Sequence, residues 1–276
     1  MKLSIITINF NDAAGLEKTI QSVVNQTYKD FEYIVIDGAS TDGSVDIIKK
    51  YSDQLTHWVS EPDTGIYNAM NKGTRLAQGE YCLYLNSGDF LAANDVLEKA
   101  FSHNFTEDIV SGNCINFDEK HERLKVPPRN VTLFTFIEGS LPHPTSFIKR
   151  DLLNRLGGYN ESYRIISDWC FFMDAMIVHQ SSYRTLDLVI TRFNAYGIST
   201  TQGHTESEKK REYLRNRFPR LLDDYLPYDD EAVYNVLQWA HDSKIRTILV
   251  FPFKVINRIL KLRNRLSRRM GVFLLK

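Results

Sequence analysis

The sequence predicts an α/β fold, a Rossmann-like α/β/α sandwich with a mainly parallel sheet, followed by a helical region with a basic end. Three observations carry this expectation. Over the first ninety residues, short apolar β-branched runs alternate with segments whose apolar residues recur at helical spacing. Each apolar run gives way to a polar cluster at its carboxyl end. Beyond residue 200 the strand-like runs stop and a helical pattern replaces them.

Residues 3–8 are apolar and β-branched, bounded by Asn9, Asn11 and Asp12, the pattern of a buried strand. Leu16, Ile20, Val23 and Val24 then recur at i, i+4, i+7 and i+8, one face of a helix. Residues 33–36 read as a second buried strand, and Val45, Ile48 and Tyr51 mark a short helix. Residues 56–60 form a third strand. Ile66, Met70, Gly73 and Ala77 outline a third helix, which Gly79 is placed to end. Residues 81–85 complete a fourth strand. This alternation implies right-handed crossovers, a parallel sheet and ligands beyond the carboxyl ends of its strands. Those ends hold Thr7 and Asn9, then Asp37, then Glu61 and Asp63, then Asn86 and Asp89, all polar and expected to converge on one rim. From about residue 127 to 193 the pattern loosens into short strands and one helix at 167–178, with Trp169, Phe172, Met173 and Met176 as its buried stripe. The expected organisation is a domain of residues 1–200 and a helical region of residues 201–276 ending in a basic amphipathic tail, 243–276.

The 276 residues are 43% hydrophobic and 25% charged, which excludes disorder, collagen and coiled coil. Three widely spaced cysteines, Cys82, Cys114 and Cys170, fit neither a disulfide framework nor a zinc ligand set and point to a reducing compartment. The opening apolar run is too short for a signal peptide, and no stretch reaches the ~18 apolar residues of a membrane span. The expected localisation is cytoplasmic. Thirty-four bases balance thirty-four acids, but ten of the bases and none of the acids follow Asp242. A tail of this composition suits a helix in an anionic membrane interface, giving a peripheral membrane contact. Docking against the rest of the chain is the alternative. A nucleic-acid partner is not expected, because the tail lacks an aromatic stacking platform.

Three loops carry chemistry. Asp37-Gly38-Ala39-Ser40-Thr41-Asp42-Gly43-Ser44 lacks the Lys-Ser/Thr of a Walker A loop. Thr41 or Asp42 can serve as an ordinary helix cap, whereas Asp37, at a strand end, caps nothing and is free to accept from a nucleobase imide. In residues 61–73, Asp63 can cap the next helix, and Asn68, Asn71 and Lys72 set amides and a cation near its positive end, where anions are favoured. A capped amphipathic helix with a solvated face would look the same. Asn86-Ser87-Gly88-Asp89 is either an ordinary turn or the seat of a hard cation that completes its shell with diphosphate oxygens and water.

Taken together, Asn-x-Asn, Val-Ile-Asp-Gly-Ala-Ser-Thr-Asp-Gly-Ser, Glu-Pro-Asp-Thr-Gly-Ile-Tyr-Asn-Ala-Met-Asn-Lys-Gly and Gly-Glu-Tyr-Cys-Leu-Tyr-Leu-Asn-Ser-Gly-Asp resemble family 2 glycosyltransferases of the GT-A fold. The bacterial branch acting in exopolysaccharide, colanic acid and O-antigen assembly is the most similar. The resemblance covers roughly residues 1–200 and is most specific in the first ninety. It implies a UDP- or GDP-sugar donor, Mg²⁺ or Mn²⁺, transfer with inversion, and a glycan or lipid-linked acceptor. By this resemblance Thr7, Asn9, Asp37, Asp63, Asn68, Lys72, Asn86 and Ser87 lie on the donor side. Residues 86–89 match the family's D-x-D segment, commonly Asp-Ser-Asp-Asp, so that Asn86 and Gly88 replace two carboxylates and Asp89 is left as metal ligand. A weaker cation site, or more dependence on a later histidine, would follow.

His143-Pro144-Thr145-Ser146-Phe147 resembles the family's His-rich strand, with His143 on the acceptor side or purely structural. Ile166-Ser167-Asp168-Trp169-Cys170-Phe171 resembles the segment of the catalytic base, with Ser167 where Glu is commoner. Asp168 would take the acceptor hydroxyl's proton, the alternative being a helix-end charge. Gly197-Ile198-Ser199 resembles a Gly-x-Ser turn, which would bring His204 toward diphosphate or metal. Two other functions stay open: a sugar nucleotidyltransferase, disfavoured by Asn9-Phe10-Asn11-Asp12 where such enzymes carry a basic Gly-rich loop, and an inactive nucleotide-sugar-binding domain.

Overall fold

The structure, a computed structural model, describes residues 1–118, 121–194 and 203–219. Its centre is a sheet of order β3-β2-β1-β4-β8-β6-β9-β5. The first four members in chain order, β1 (Leu3–Asn9), β2 (Phe31–Asp37), β3 (His57–Ser60) and β4 (Tyr81–Tyr84), are mutually parallel. They are joined through helices α1 (Ala13–Val24), α2 (Ser44–Lys50) and α3 (Ile66–Leu76). Buried on both faces, β1 and β2 read as continuous apolar runs because every position packs against something. Leu3, Ile5, Tyr33, Val35 and Leu83 join Leu16, Ile20 and Val23 of α1 in one core cluster. Ile6 points to the opposite face, where a Cβ on Gly73 of α3 would come within 2.4 Å of its Cγ2. Glycine at 73 is what lets α3 lie this close to β1. The register aligns Asn9 with Asp37 and Asp37 with Ser60, so three polar residues stand side by side at the carboxyl end.

The remaining elements are β5 (Phe90–Leu91), α4 (Val96–Phe101), β6 (Ile109–Phe117), β7 (Glu122–Lys125), α5 (Leu133–Glu138), β8 (Ser146–Lys149), α6 (Arg150–Arg155), α7 (Ser167–Met173), β9 (Tyr183–Asn194) and α8 (Gly203–Arg217). β8 enters antiparallel between β4 and β6, and β9 runs parallel to β6 and antiparallel to β5. Sequence periodicity anticipates neither the nine-residue β6 nor the length of β9, twelve residues where only short strands are expected. Both are built from polar–apolar mixtures and are held by their mutual pairing, which includes register shifts.

Three local expectations are corrected. Gly79 does not cap α3, which ends at Leu76 with Ala77 as its cap. A Cβ at Gly79 would stand 2.6 Å from both the Leu3 carbonyl carbon and the Ser4 nitrogen, so glycine is required for the approach to β1. Asp63 does not cap α3 either: that position belongs to Gly65, and Asp63 Oδ1 accepts from the Gly65 N–H at 2.9 Å. The helix expected over 167–178 is α7 followed by a π turn over Asp174–Val178. The wider turn shifts the helical phase, so Ala175 is buried and Met176 only half-buried.

The chain forms two compact units, Met1–Arg211 and Glu212–Lys276. Of the second only residues 212–219 are described, and the basic tail over 243–276 lies outside the described residues. Among the described residues no helix is long and apolar enough to cross a membrane.

Candidate active site

The polar residues at the carboxyl ends of β1, β2 and β4 are assembled into one rim. Asp37 has no exposed surface, and its two carboxylate oxygens take four donors: Asn9 Nδ2 at 2.7 Å, Ser40 N at 2.9 Å, Ser40 Oγ at 2.6 Å and Ser60 Oγ at 2.7 Å. Burial pushes this carboxyl up, but hydrogen bonds from Ser40, Ser60 and Asn9 outweigh it and hold it below the ordinary carboxylate range. The expectation that Asp37 caps nothing is therefore corrected, because it closes the 37–40 turn on itself. Thr7 is equally buried and pairs with the Tyr33 hydroxyl at 3.0 Å. Thr7 and Asp37 are thus both closed off by their own partners, Thr7 by Tyr33 of the core and Asp37 by Asn9, Ser40 and Ser60 at the rim. Asn9, 3% exposed, keeps its Oδ1 without a hydrogen-bond partner among the described residues. Asp42 receives the first N–H of both neighbouring helices, Ala13 N at 2.8 Å and Ser44 N at 3.1 Å, and so ties α1 to α2.

The loop after β3 meets this rim from the side. A Cβ on Gly38 would lie 2.7 Å from Asp63 Oδ2 and 3.1 Å from the Phe10 ring, so glycine lets the two loops touch. Lys72 contacts Glu61 Oε1 at 2.8 Å and the Pro62 carbonyl at 2.9 Å, fixing the loop that precedes α3. Asn68 and Asn71 donate to Glu161 at 2.7 and 2.8 Å, and Asn71 also exchanges hydrogen bonds with the backbone of Tyr159. These amides join α3 to the segment leading into α7.

Residues 86–89 form a tight turn, with Asp89 N–H bonded to the Asn86 carbonyl. Gly88 has φ +91°, left-handed backbone that favours glycine. Glycine at 88 is thereby tied to the turn's shape. Thr19 of α1 braces the turn, donating to the Asp89 carbonyl at 2.7 Å and accepting from Gly88 N at 3.1 Å. Asp89 is 3% exposed, and its Oδ1 accepts the Asn194 N–H at 3.0 Å from the end of β9. Burial raises its carboxyl to about 8, with the Asn194 hydrogen bond opposing. Asn86 Oδ1 is buried without a partner among the described residues. A carboxylate and an orphaned amide oxygen on one turn fit a hard divalent cation, whose other ligands would be diphosphate and water. Among the described residues no group of three or more His, Cys, Asp or Glu could hold a metal by itself.

Asp168 stands half-buried in the first turn of α7. The Tyr67 hydroxyl of α3 lies 2.7 Å from its Oδ1 and also contacts the Ile165 carbonyl. His143 begins a short 3₁₀ turn, His143–Thr145, rather than a strand, and β8 starts after it. It is buried among Tyr84, Tyr159 and Phe172, with Nε2 at 2.8 Å from the Tyr159 hydroxyl. Burial lowers its pKa below the usual histidine value. His204 falls in the first turn of α8, where only its backbone is described, and residues 197–199 lie outside the described residues.

Sequence reasoning missed Tyr67, Glu161, Thr19 and Asn194. Tyr67 lay inside a quoted motif and carried a signal. Asn194 contributes a backbone N–H to Asp89, which no side-chain pattern reveals.

The sequence pattern described as Glycosyl transferase family 2 matches residues 4–179. An uncharacterized glycosyltransferase of Mycobacterium tuberculosis is 31% identical over 254 residues, covering 87% of this chain and 95% of its own. A PGL/p-HBAD biosynthesis glycosyltransferase of Mycobacterium bovis is 30% identical over 205 residues, covering 70% and 77%. Among solved structures, S. aureus TarS residues 1–349 in complex with UDP-GlcNAc superposes with a TM-score of 0.62 at 22% identity, over 78% of this chain and 65% of that one. A Pyrobaculum calidifontis mannosyltransferase in complex with GDP-Man and Mn²⁺ gives 0.56 at 19% identity, over 80% and 64%. These two likenesses show the fold.

Proposed function

The chain belongs to glycosyl transferase family 2, and from that premise we propose an inverting glycosyltransferase that moves a sugar from a UDP- or GDP-sugar to a glycan or polyprenyl-linked acceptor in bacterial surface polysaccharide synthesis. The observation that supports this most is the shared rim, where Asn9, Asp37 and Ser60 stand in register across three parallel strands beside the turn that carries Asp89. Asn86 and Asp89 would hold Mg²⁺ or Mn²⁺, which supplies charge neutralisation for the departing diphosphate.

The chain's own residues do the rest. Thr7, Asn9 and Asp37 shape the nucleoside end of the rim, and Ser87 borders it on the β4 side. Asp63, Asn68 and Lys72 set the course of the donor-side loop and α3. Asp168 takes the proton of the acceptor hydroxyl while that oxygen bonds to the anomeric carbon and the bond to diphosphate breaks. One displacement from the opposite face inverts the configuration. His143 supports the acceptor side through Tyr159, and His204 is the later histidine proposed to serve the diphosphate or the metal. The enzyme works in the cytoplasm, with the tail over 243–276 resting on the membrane that holds the acceptor.

The test is a donor panel of UDP-glucose, UDP-GlcNAc, UDP-galactose and GDP-mannose, with Mn²⁺ and lipid-linked acceptor fractions, read by mass spectrometry and by NMR of the new linkage. The expected outcome is one donor consumed and an inverted linkage; a retained configuration would remove the single-displacement reading. The replacement of two carboxylates by Asn86 and Gly88 favours one second reading, an inactive nucleotide-sugar-binding domain. That reading predicts calorimetric binding of a donor with no turnover.

A further inference from the structure

We propose that Tyr67 is a positioning residue for Asp168: its hydroxyl, fixed between the Ile165 carbonyl and Asp168 Oδ1, aims the carboxylate and leaves Oδ2 as the oxygen that receives the acceptor's proton. The inference rests on Asp168 being the base. The two residues are 101 positions apart, on α3 and α7, and the contact is 2.7 Å. Tyr67 is 5% exposed, and its ring packs 5.6 Å from that of Tyr159, so the hydroxyl has little freedom to turn elsewhere. Asp168 Oδ2 has no hydrogen-bond partner among the described residues.

A phenol has one proton, and here it has two acceptors. While Asp168 is ionised, the proton is best given to the carboxylate, because hydrogen bonds to charged acceptors are the stronger ones. When Asp168 has taken the acceptor's proton, the Tyr67 hydroxyl can turn to the Ile165 carbonyl and stay satisfied. A buried hydroxyl is otherwise costly to leave unpaired. Tyr67 keeps its own proton throughout. Burial, and after it the Asp168 charge, raise its pKa well above the ordinary tyrosine value, so it is always a donor.

The frame around this pair is built from the same helix. Asn68, next to Tyr67, and Asn71, one turn beyond it, hold Glu161 and Tyr159, and a Cβ on Gly158 would press within 2.7 Å of Asn71 Oδ1. The segment entering α7 is thus pinned to α3 just before it delivers Asp168. The other titratable groups that feel the Asp168 charge are Tyr159, His143 and Cys170, which burial keeps neutral. The Lys210 ammonium lies over the neighbouring Trp169 ring at 5.4 Å.

The experiment compares wild type, Tyr67→Phe, Asp168→Asn and the double variant in hydrolysis of whichever panel donor turns over, with donor affinity by calorimetry. Tyr67→Phe is expected to lower kcat about tenfold or more with donor affinity unchanged. It should add no further loss in the Asp168→Asn background. Unchanged kcat in Tyr67→Phe, beside a dead Asp168→Asn, would overturn the Tyr67 role alone. So would a loss confined to donor affinity or melting temperature, which marks a structural role for α3. Full turnover in Asp168→Asn would overturn the base reading and the role of Tyr67 with it.

Discussion

At the scale of single residues, two buried ionisable groups separate chemistry from packing. Asp89 accepts the Asn194 N–H through Oδ1, and an asparagine would keep that acceptor while removing the charge. Because burial raises the Asp89 carboxyl to about 8, Asp89→Asn is expected to fold and to melt no lower than wild type at neutral pH, yet to lose metal-dependent donor hydrolysis by at least about a hundredfold, the scale of a removed electrostatic group. Loss of bound Mn²⁺ in electron paramagnetic resonance should accompany it, and Mn²⁺-dependent turnover kept by the variant would take Asp89 out of the metal site. His143 behaves oppositely. Burial depresses its pKa, so below the ordinary histidine value of about 6.5 the unfolded chain takes a proton that the folded one refuses. Its contribution is present above that pH and lost as pH falls, by up to about 1.4 kcal/mol per unit. The stability difference between about pH 7.5 and pH 5.5 should shrink in His143→Gln, by chemical denaturation. An unchanged difference would mean that His143 charges freely in the fold.

At the scale of elements, the close approach of the 77–80 turn to β1 depends on Gly79. A methyl group there meets backbone atoms at 2.6 Å, and backbone cannot swing aside as a side-chain tip can. Gly79→Ala should cost about 1–3 kcal/mol, while Gly139→Ala, whose nearest neighbour would be 3.9 Å away, should be close to neutral. Equal effects would show that the turn relaxes. The same element explains why reading the sequence succeeds in one half of the sheet and thins in the other. β1, β2 and β4 are covered on both faces and announce themselves as apolar runs, and α1 and α3 show their stripes. β6 and β9 carry Ser111, Asn113, Thr185, Asp187 and Thr191 among their apolar residues. Their strand character comes from pairing across some seventy residues, which no local period encodes. The site divides likewise. Asp37, Asp89 and Asp168 are legible because strand ends and helix starts put carboxylates there. The four donors closing on Asp37, the Asn194 N–H on Asp89 and the Tyr67 contact to Asp168 depend on tertiary approach.

At the scale of the whole molecule, the rim is a property of the folded state alone. Asn9, Asp37, Ser60 and Asp89 come from four separate strand ends or the loops beyond them, Thr19 from α1 and Asn194 from β9. Unfolding disperses them, so a nucleotide held by this rim binds the native chain and not the unfolded one. Ligand at about a hundred times its Kd then stabilises by about 2.7 kcal/mol. For a domain of this size that raises Tm by roughly 5–10 °C. Asn86 and Gly88 leave Asp89 as the only carboxylate of its turn, and in the proposed function a cation held there meets the diphosphate charge. UDP or GDP with Mn²⁺ should therefore raise Tm by several degrees, and the same nucleotide with EDTA should raise it far less. In Asp89→Asn the two conditions should coincide at the smaller shift. Scanning calorimetry of wild type and variant reads this directly. A nucleotide shift equally large with EDTA in wild type would show that the rim binds diphosphate through N–H and amide groups alone, and would remove the cation from donor binding.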